Sequence, residues 1–217
     1  MSDTDSFIDE VTEELRRDQL FRLIRKYGWI AVLLVLVLVG GAAFNEFRKA
    51  RAASAAQQIG DSILGALMAD DPDARADALA AIDAQGEKAA FIAMLRSSEE
   101  LDAGGTDAAV DSLSQIAIDA SQPSIYRHLA EFKLILIEGD RIPPAERLKR
   151  LESLATPGAP FRLLAEEQMA LTEVGTGDID AALSRLRAIL ADGDLTAGLR
   201  RRVSQLIVAL GGELEPA

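Results

Sequence analysis

The sequence predicts an all-α protein, with a single N-terminal transmembrane helix followed by a domain of stacked helical hairpins. Three observations lead there. Alanine and leucine supply 67 of the 217 residues while aromatics make up only 5%, a composition that favours helices and disfavours sheets. A run of nineteen uncharged residues, YGWIAVLLVLVLVGGAAFN, occupies positions 27–45. Beyond residue 70, helical patterns are broken at short intervals by Pro and Gly, as short connections between antiparallel helices require.

Residues 1–26 read as a cytosolic amphipathic leader. After a polar start, Phe7, Ile8, Val11, Leu15, Leu20, Leu23 and Ile24 recur at helix-like spacing. Asp5 or Ser6 suits the cap, and Asp9 and Glu10 suit the first turn. Such a helix can lie on the inner leaflet, dock on a partner, continue into the span, or only control topology through its basic residues.

The expected transmembrane helix covers 27–47. At 1.5 Å per residue the uncharged run is about 28 Å long, close to the roughly 30 Å hydrocarbon core of a bilayer. A soluble core helix is rarely apolar on every face for that distance. Tyr27 and Trp29 stand where amphipathic rings prefer the interface. Leu33, Leu36 and Phe44 belong to the lipid-facing anchor, and Gly40 and Gly41 would let another helix approach closely. A cleaved signal peptide has a shorter leader and a shorter apolar core than this segment. Arg16, Arg17, Arg22, Arg25 and Lys26 precede the span, against Arg48, Lys49 and Arg51 after it. That bias places the N-terminus in the cytoplasm and the C-terminal domain across the membrane, in the periplasm of a Gram-negative cell. The expected localisation is the bacterial inner membrane.

Residues 48–70 read as a helical extension, because no helix breaker falls between 42 and 58. No Gly/Ser or Pro tether separates the domain from the bilayer. In the remaining domain, 71–217, helices are expected near 73–84, 87–101, 106–119, 123–138, 144–154, 160–174, 178–191 and 196–210. Asp71-Pro72, Gly86, Gly104-Gly105, Gln122-Pro123, Pro143-Pro144, Pro157-Gly158, Gly175 with Gly177, and Gly193 separate them.

Internal repeats set the architecture. A shift of 73 superposes Ala108-Ala109-Val110, Leu113 and Ile116 on Ala181-Ala182-Leu183, Leu186 and Ile189. It also superposes Arg127 on Arg200, Ala130 on Val203 and Leu134 on Ile207. Between them, the segment from Pro123 through Arg127 to Ala130 resembles the one from Pro160 through Arg162 to Ala165, so the three arginines are spaced by 35 and 38. Both steps lie near the 34-residue hairpin unit of tetratricopeptide repeats. Four irregular hairpins are expected, the first the least regular, and an ordinary helical bundle is the alternative.

The span KYGWIAVLLVLVLVGGAAFNEFRKAR, with its basic leader and Ala-rich outer helix, resembles the YfgM-type, tetratricopeptide-like membrane proteins of proteobacteria. The stretches PSIYRHLAEFKLIL, GAPFRLLAEEQMALTEVGTGDIDAALSRLRAILAD and LRRRVSQLIVALG resemble alphaproteobacterial members in particular. The resemblance covers nearly the whole chain, through helical packing patterns rather than distinctive chemistry. It implies an ancillary subunit of the Sec translocon that works with a membrane-anchored periplasmic chaperone.

The chemistry of the chain points away from catalysis. Absence of cysteine excludes thiolate nucleophiles, disulfides and thiolate metal sites. One histidine, His128, is too few for a histidine-based zinc site. Glu131, one turn away, does not complete a ligand set. Asp192-Gly-Asp194 lacks the spacing of a calcium loop and reads as a capped turn. The Glu99-Glu100 and Glu166-Glu167 pairs are expected in so acidic a domain. No cofactor is implied. Residues 1–51 have no net charge, so residues 52–217 carry the whole −12, which disfavours nucleic acid.

Arg127, Arg162 and Arg200 are the partner-binding candidates. Equivalent repeat positions line up along one face of a solenoid, where a basic track would hold acidic groups of a partner. The competing reading is intramolecular pairing with nearby Glu and Asp. The functional expectation is a non-enzymatic, membrane-anchored interaction protein. The rival is a structural or assembly subunit of another inner-membrane complex, with its specificity in the span.

Overall fold

The computed structural model describes residues 3–214, and within that range the side chains of residues 3–24 and of Tyr27, Gly28, Ala31 and Val32 lie outside the description. Among the described residues the chain is all-helical. Its elements are α1 (Asp3–Leu67), α2 (Pro72–Ala80), α3 (Glu87–Asp102), α4 (Thr106–Ile118), α5 (Ser124–Glu138), α6 (Pro144–Leu154), α7 (Arg162–Thr176), α8 (Ile179–Leu190) and α9 (Ala197–Ala209), with a 3-10 turn at Gly139–Arg141.

The leader, the expected span and residues 48–67 of the extension lie in one helix, so 26 and 47 fall inside α1, while 70 falls in the turn between α1 and α2. Asp5 and Ser6, the expected caps, lie inside α1. By compactness the chain divides into two units, Met1–Gln58 and Ile59–Ala217. In the first, every described side chain is exposed, including Trp29, Leu33, Leu36, Phe44 and Phe47. The Arg51 guanidinium sits 5.4 Å from the centre of the Phe47 ring. Among the described residues, no helix is long and apolar enough to cross a membrane. The expected span uses Tyr27, Gly28, Ala31 and Val32, whose side chains lie outside the described residues.

The second unit is built by repetition. Four small cores follow one another, each shared by three consecutive helices. Ala66 of α1, Leu79 of α2 and Ile92 of α3 form the first. Ala90 and Met94 of α3, Leu113 and Ile116 of α4, and Ala130 and Leu134 of α5 form the second. The third joins Phe132 and Ile135 of α5 to Leu151 and Leu154 of α6 and to Ala165 and Met169 of α7. The fourth joins Ala170 of α7 to Leu186 and Ile189 of α8 and to Leu199, Val203 and Ile207 of α9. Helices α3, α5 and α7 each serve two cores, so each hairpin buries its second face against the next. This is a helical-hairpin repeat compatible with the tetratricopeptide arrangement.

The register follows from the sequence. Leu79, Leu113, Leu151 and Leu186, spaced by 34, 38 and 35, occupy one equivalent position of α2, α4, α6 and α8, and all four are fully buried. Ile92, Ala130, Ala165 and Val203, spaced by 38, 35 and 38, do the same for α3, α5, α7 and α9. The small Ala130 and Ala165 let neighbouring helices approach closely.

Helix ends differ from expectation in three places. The helix expected at 73–84 stops at Ala80, and Ile82 and Ala84 pack on the first core from an irregular segment that ends at Gly86, where φ is +60°. The helix expected from 160 starts at Arg162, because Pro160 and Phe161 form a turn; Phe161 there stacks on Phe132, with ring centres 6.2 Å apart. Gly175, expected as a separator, lies inside α7, and the left-handed Gly177 (φ +84°) ends the helix.

Candidate functional site

The spacing of 35 and 38 that sets Arg127, Arg162 and Arg200 apart puts them in the first turns of α5, α7 and α9. Their surroundings differ. The Arg162 guanidinium pairs with Asp192 at 2.8 Å and lies 3.7 Å from Asp194, so its charge joins α7 to the α8–α9 turn. Arg127 is half-buried, its Nε has no hydrogen-bond partner, and its charge acts on Asp119. Arg200 is exposed. The three form a ladder of positions in which Arg162 is already paired.

The more regular feature is a pair of glutamate–arginine clamps that join α5 to α6 and α7 to α8. Arg150 of α6 binds Glu131 at 2.7 Å and Glu138 at 2.5 Å, both from α5. Thirty-five residues on, Arg185 of α8 binds Glu166 at 2.5 Å and Glu173 at 2.7 Å, both from α7. In each case the two glutamates lie seven residues apart on one helix face, so one guanidinium reaches both. Between α3 and α4 the arginine is replaced by Ser112, whose hydroxyl donates to Glu100 at 2.8 Å, while Arg96 takes the other carboxylate oxygen. Hydrogen bonds from Arg185 to Glu173, then to Glu166, hold the Arg185 guanidinium well above its ordinary range.

The paired acids of the sequence are therefore used between helices. Glu99 binds Arg75, Glu100 binds Arg96 and Ser112, Glu166 binds Arg185, and Glu167 binds Arg202 of α9 through two bonds of 2.8 and 2.7 Å. Asp192 is a turn residue: its carboxylate accepts the Asp194 N–H at 2.9 Å, and that bond, followed by Arg162, holds it below the usual carboxylate range. Among the described residues no group of three or more His, Asp or Glu side chains is placed to hold a metal ion.

On the face made by the odd-numbered helices lies an apolar groove of about 630 Å³. Phe132 and Leu136 of α5, Leu164 and Leu171 of α7, and Leu206 and Ala209 of α9 give its apolar lining. Glu167, Gln168, Arg202 and Gln205 give its polar groups. Leu136, Leu171 and Ala209 are equivalent in the repeat, at steps of 35 and 38. Leu136 and Leu171 remain 42% and 38% exposed, which marks them as unfilled rather than as core. Further along the same face, Lys133 of α5 donates to the Met94 carbonyl of α3 at 3.1 Å, and burial holds its ammonium below the usual lysine range.

Beside the groove is a smaller polar pocket of about 260 Å³, between the turn after α5, the start of α6 and the end of α7. The two share Gln168 and Leu171. Apart from Glu167, the groove residues do not stand out in the sequence. The signal was present in the recurrence of leucine at 136 and 171 on top of the recurrent clamp, with glutamates at 131 and 138 and arginine at 150, then glutamates at 166 and 173 and arginine at 185. Of the expected anchor residues, Trp29, Leu33, Leu36 and Phe44 are exposed, Gly40 and Gly41 have open space beside them, and Tyr27 lies outside the described side chains.

Fold and site together define a helical-hairpin repeat with an unfilled apolar groove. No protein-family model matches the chain, and no curated protein and no solved structure shows significant similarity to it. The resemblance to YfgM-type proteins rests on the quoted residues alone.

Proposed function

We propose that this chain is a non-enzymatic, membrane-anchored interaction protein whose hairpin-repeat domain binds a protein partner in the groove of α5, α7 and α9. The observation that carries this reading is the groove itself: apolar side chains at equivalent repeat positions stay exposed on one face while neighbouring positions are fully buried. Concave faces of stacked hairpins are the usual binding surfaces of solenoids. The anchor in this reading is the uncharged segment 27–45, with the N-terminus cytoplasmic and residues 71–217 periplasmic. Its support is length and exposure. The run matches a bilayer core, and its described large apolar side chains, from Trp29 to Phe44, are all exposed, although burying each fully is worth about 1.5–3 kcal/mol. Tethering raises the local concentration of the groove near membrane partners. By resemblance, those partners are Sec translocon subunits and a membrane-anchored periplasmic chaperone.

The test is photo-crosslinking in native membranes from Leu136 and Leu171 in the groove, and from Leu36 and Gly40 in the span, with captured proteins identified by mass. Capture of translocon subunits or the chaperone from the groove sites is the expected result. Capture only of a different membrane complex, through the span sites, would replace this reading with that of a structural or assembly subunit.

A further inference from the structure

Most half-buried arginines in this domain have carboxylates within ion-pair distance: Arg75, Arg150, Arg162 and Arg185 each hold one or two. Arg147, at the start of α6, has none. Its Nη2 lies 3.4 Å from the neutral Gln168 Oε1, and its Nε is buried without a hydrogen-bond partner. Arg75 occupies the equivalent position in the first hairpin and is neutralised by Glu99 at 2.6 Å. Arg127, whose Nε is also unpartnered, has Asp119 acting on it and borders neither the groove nor the pocket.

Arg147 lines the polar pocket that joins the groove at Gln168 and Leu171. Arg147 is half-buried and its guanidinium has no carboxylate partner, so an acid entering the pocket would supply its charge-assisted acceptor. Asp140 borders the same pocket. The Arg147 guanidinium can pair with one incoming carboxylate, and Asp140 in the same lining disfavours any further negative charge. The pocket meets the groove at α7, the middle of its three helices. A segment lying across α5, α7 and α9 therefore passes it with chain on both sides, and the group it offers there is a side chain.

We propose that the groove binds a peptide segment of a partner protein whose apolar side chains rest on Leu136, Leu171 and Leu206, and whose aspartate or glutamate side chain pairs with Arg147. This inference rests on the groove being the partner-binding surface, and it adds the acidic requirement and the residue that reads it. The occupant is an amphipathic acidic segment, although the domain around the groove is itself acidic.

The test uses full-length protein in detergent micelles on an array of short peptides of random sequence, with free and amidated C-termini. The expected result is selection of an acidic residue beside spaced apolar ones, whichever C-terminus is present. The best peptide, fluorescently labelled, is then titrated against wild type, Arg147→Gln and Arg147→Lys. Arg147→Gln should bind it about tenfold or more weakly, and Arg147→Lys should recover part of the loss. The peptide with its acid replaced by the amide should bind wild type and Arg147→Gln alike. A purely structural role for Arg147 would weaken both peptides equally and would overturn the proposal. Selection of apolar peptides without an acid, or dependence on a free C-terminus, would overturn it while leaving the groove as the binding surface. Absence of any peptide binding that Leu171→Asp can remove would overturn the groove reading as well.

Discussion

Replacing Glu173 by glutamine tests the clamp that joins α7 to α8. Glu173 is buried, with 7% of its surface exposed, and accepts from Arg185 Nε at 3.1 Å to each oxygen and from Nη2 at 2.7 Å. Removing one partner of a fully buried pair costs about 3–5 kcal/mol. Arg185 retains Glu166 at 2.5 Å and is 26% exposed, so the loss should lie lower, at about 2 kcal/mol. For a unit of this size that is a fall in Tm of roughly 4–8 °C. Denaturant unfolding followed by far-ultraviolet circular dichroism gives the total, and amide hydrogen exchange locates it. Exchange should accelerate in α7 and α8 and change little in α3 and α4, because each core is shared only by consecutive helices. Asp107→Asn, which removes the exposed pair with Arg141, is the control and should cost about 0–0.5 kcal/mol. If Glu173→Gln costs no more than this control, or if protection falls equally in α3 and α4, the reasoning fails.

Asp192 has its folded-state pKa lowered by the Asp194 N–H and by Arg162. Its contribution is present above the ordinary aspartate value of about 3.9 and is lost as pH falls through the lowered folded value. Asp192→Asn should therefore flatten the acid limb of a Tm-against-pH series, with a smaller difference from wild type as pH falls. Gly212→Ala should destabilise by about 1–3 kcal/mol in urea unfolding, since a Cβ there would stand 2.8 Å from Leu183 Cδ2 and 2.9 Å from Ile207 Cγ2. Leu186→Ala, at a fully buried repeat position, should cost about 2–5 kcal/mol in the same assay. On the proposed anchor, Leu36→Arg should disfavour insertion by about 2.5–3.5 kcal/mol, read as the membrane-inserted fraction in an in vitro translocation assay.

The hairpin order was legible because helix punctuation is local chemistry. Pro144 at the start of α6, Gly177 after α7 and Asp178 at the cap of α8 announce their elements without tertiary information. The first-turn arginines were legible as a ladder because a repeat copies positions. Their partners were not, since the Asp192 that takes Arg162 lies in a turn thirty residues away, and only packing brings it near. The groove was hidden for a related reason. Leu136 and Leu171 have the helical periodicity of core residues, and whether such a leucine meets another helix or solvent depends on the next hairpin. The clamps needed no such information: seven residues between two glutamates and twelve from the second to an arginine on the next helix is a spacing that one hairpin sets by itself.

The placement of these ion pairs bears on how the groove works. The clamps at Arg150 and Arg185 hold α5 to α6 and α7 to α8, away from the residues that line the groove. The pair between Glu167 and Arg202 instead joins α7 to α9, and both residues line the groove. Helix α9 packs mainly on α8 and meets α7 through the fourth core and this pair. A segment seated over Leu206 shields the Glu167–Arg202 pair from water and strengthens it. A segment that draws Arg202 away leaves Glu167, 5% exposed, as a buried carboxylate without its partner. The first event is favourable and the second is costly. In the proposed reading the groove therefore favours a ligand that supplies its own acid to Arg147 over one that competes for Arg202.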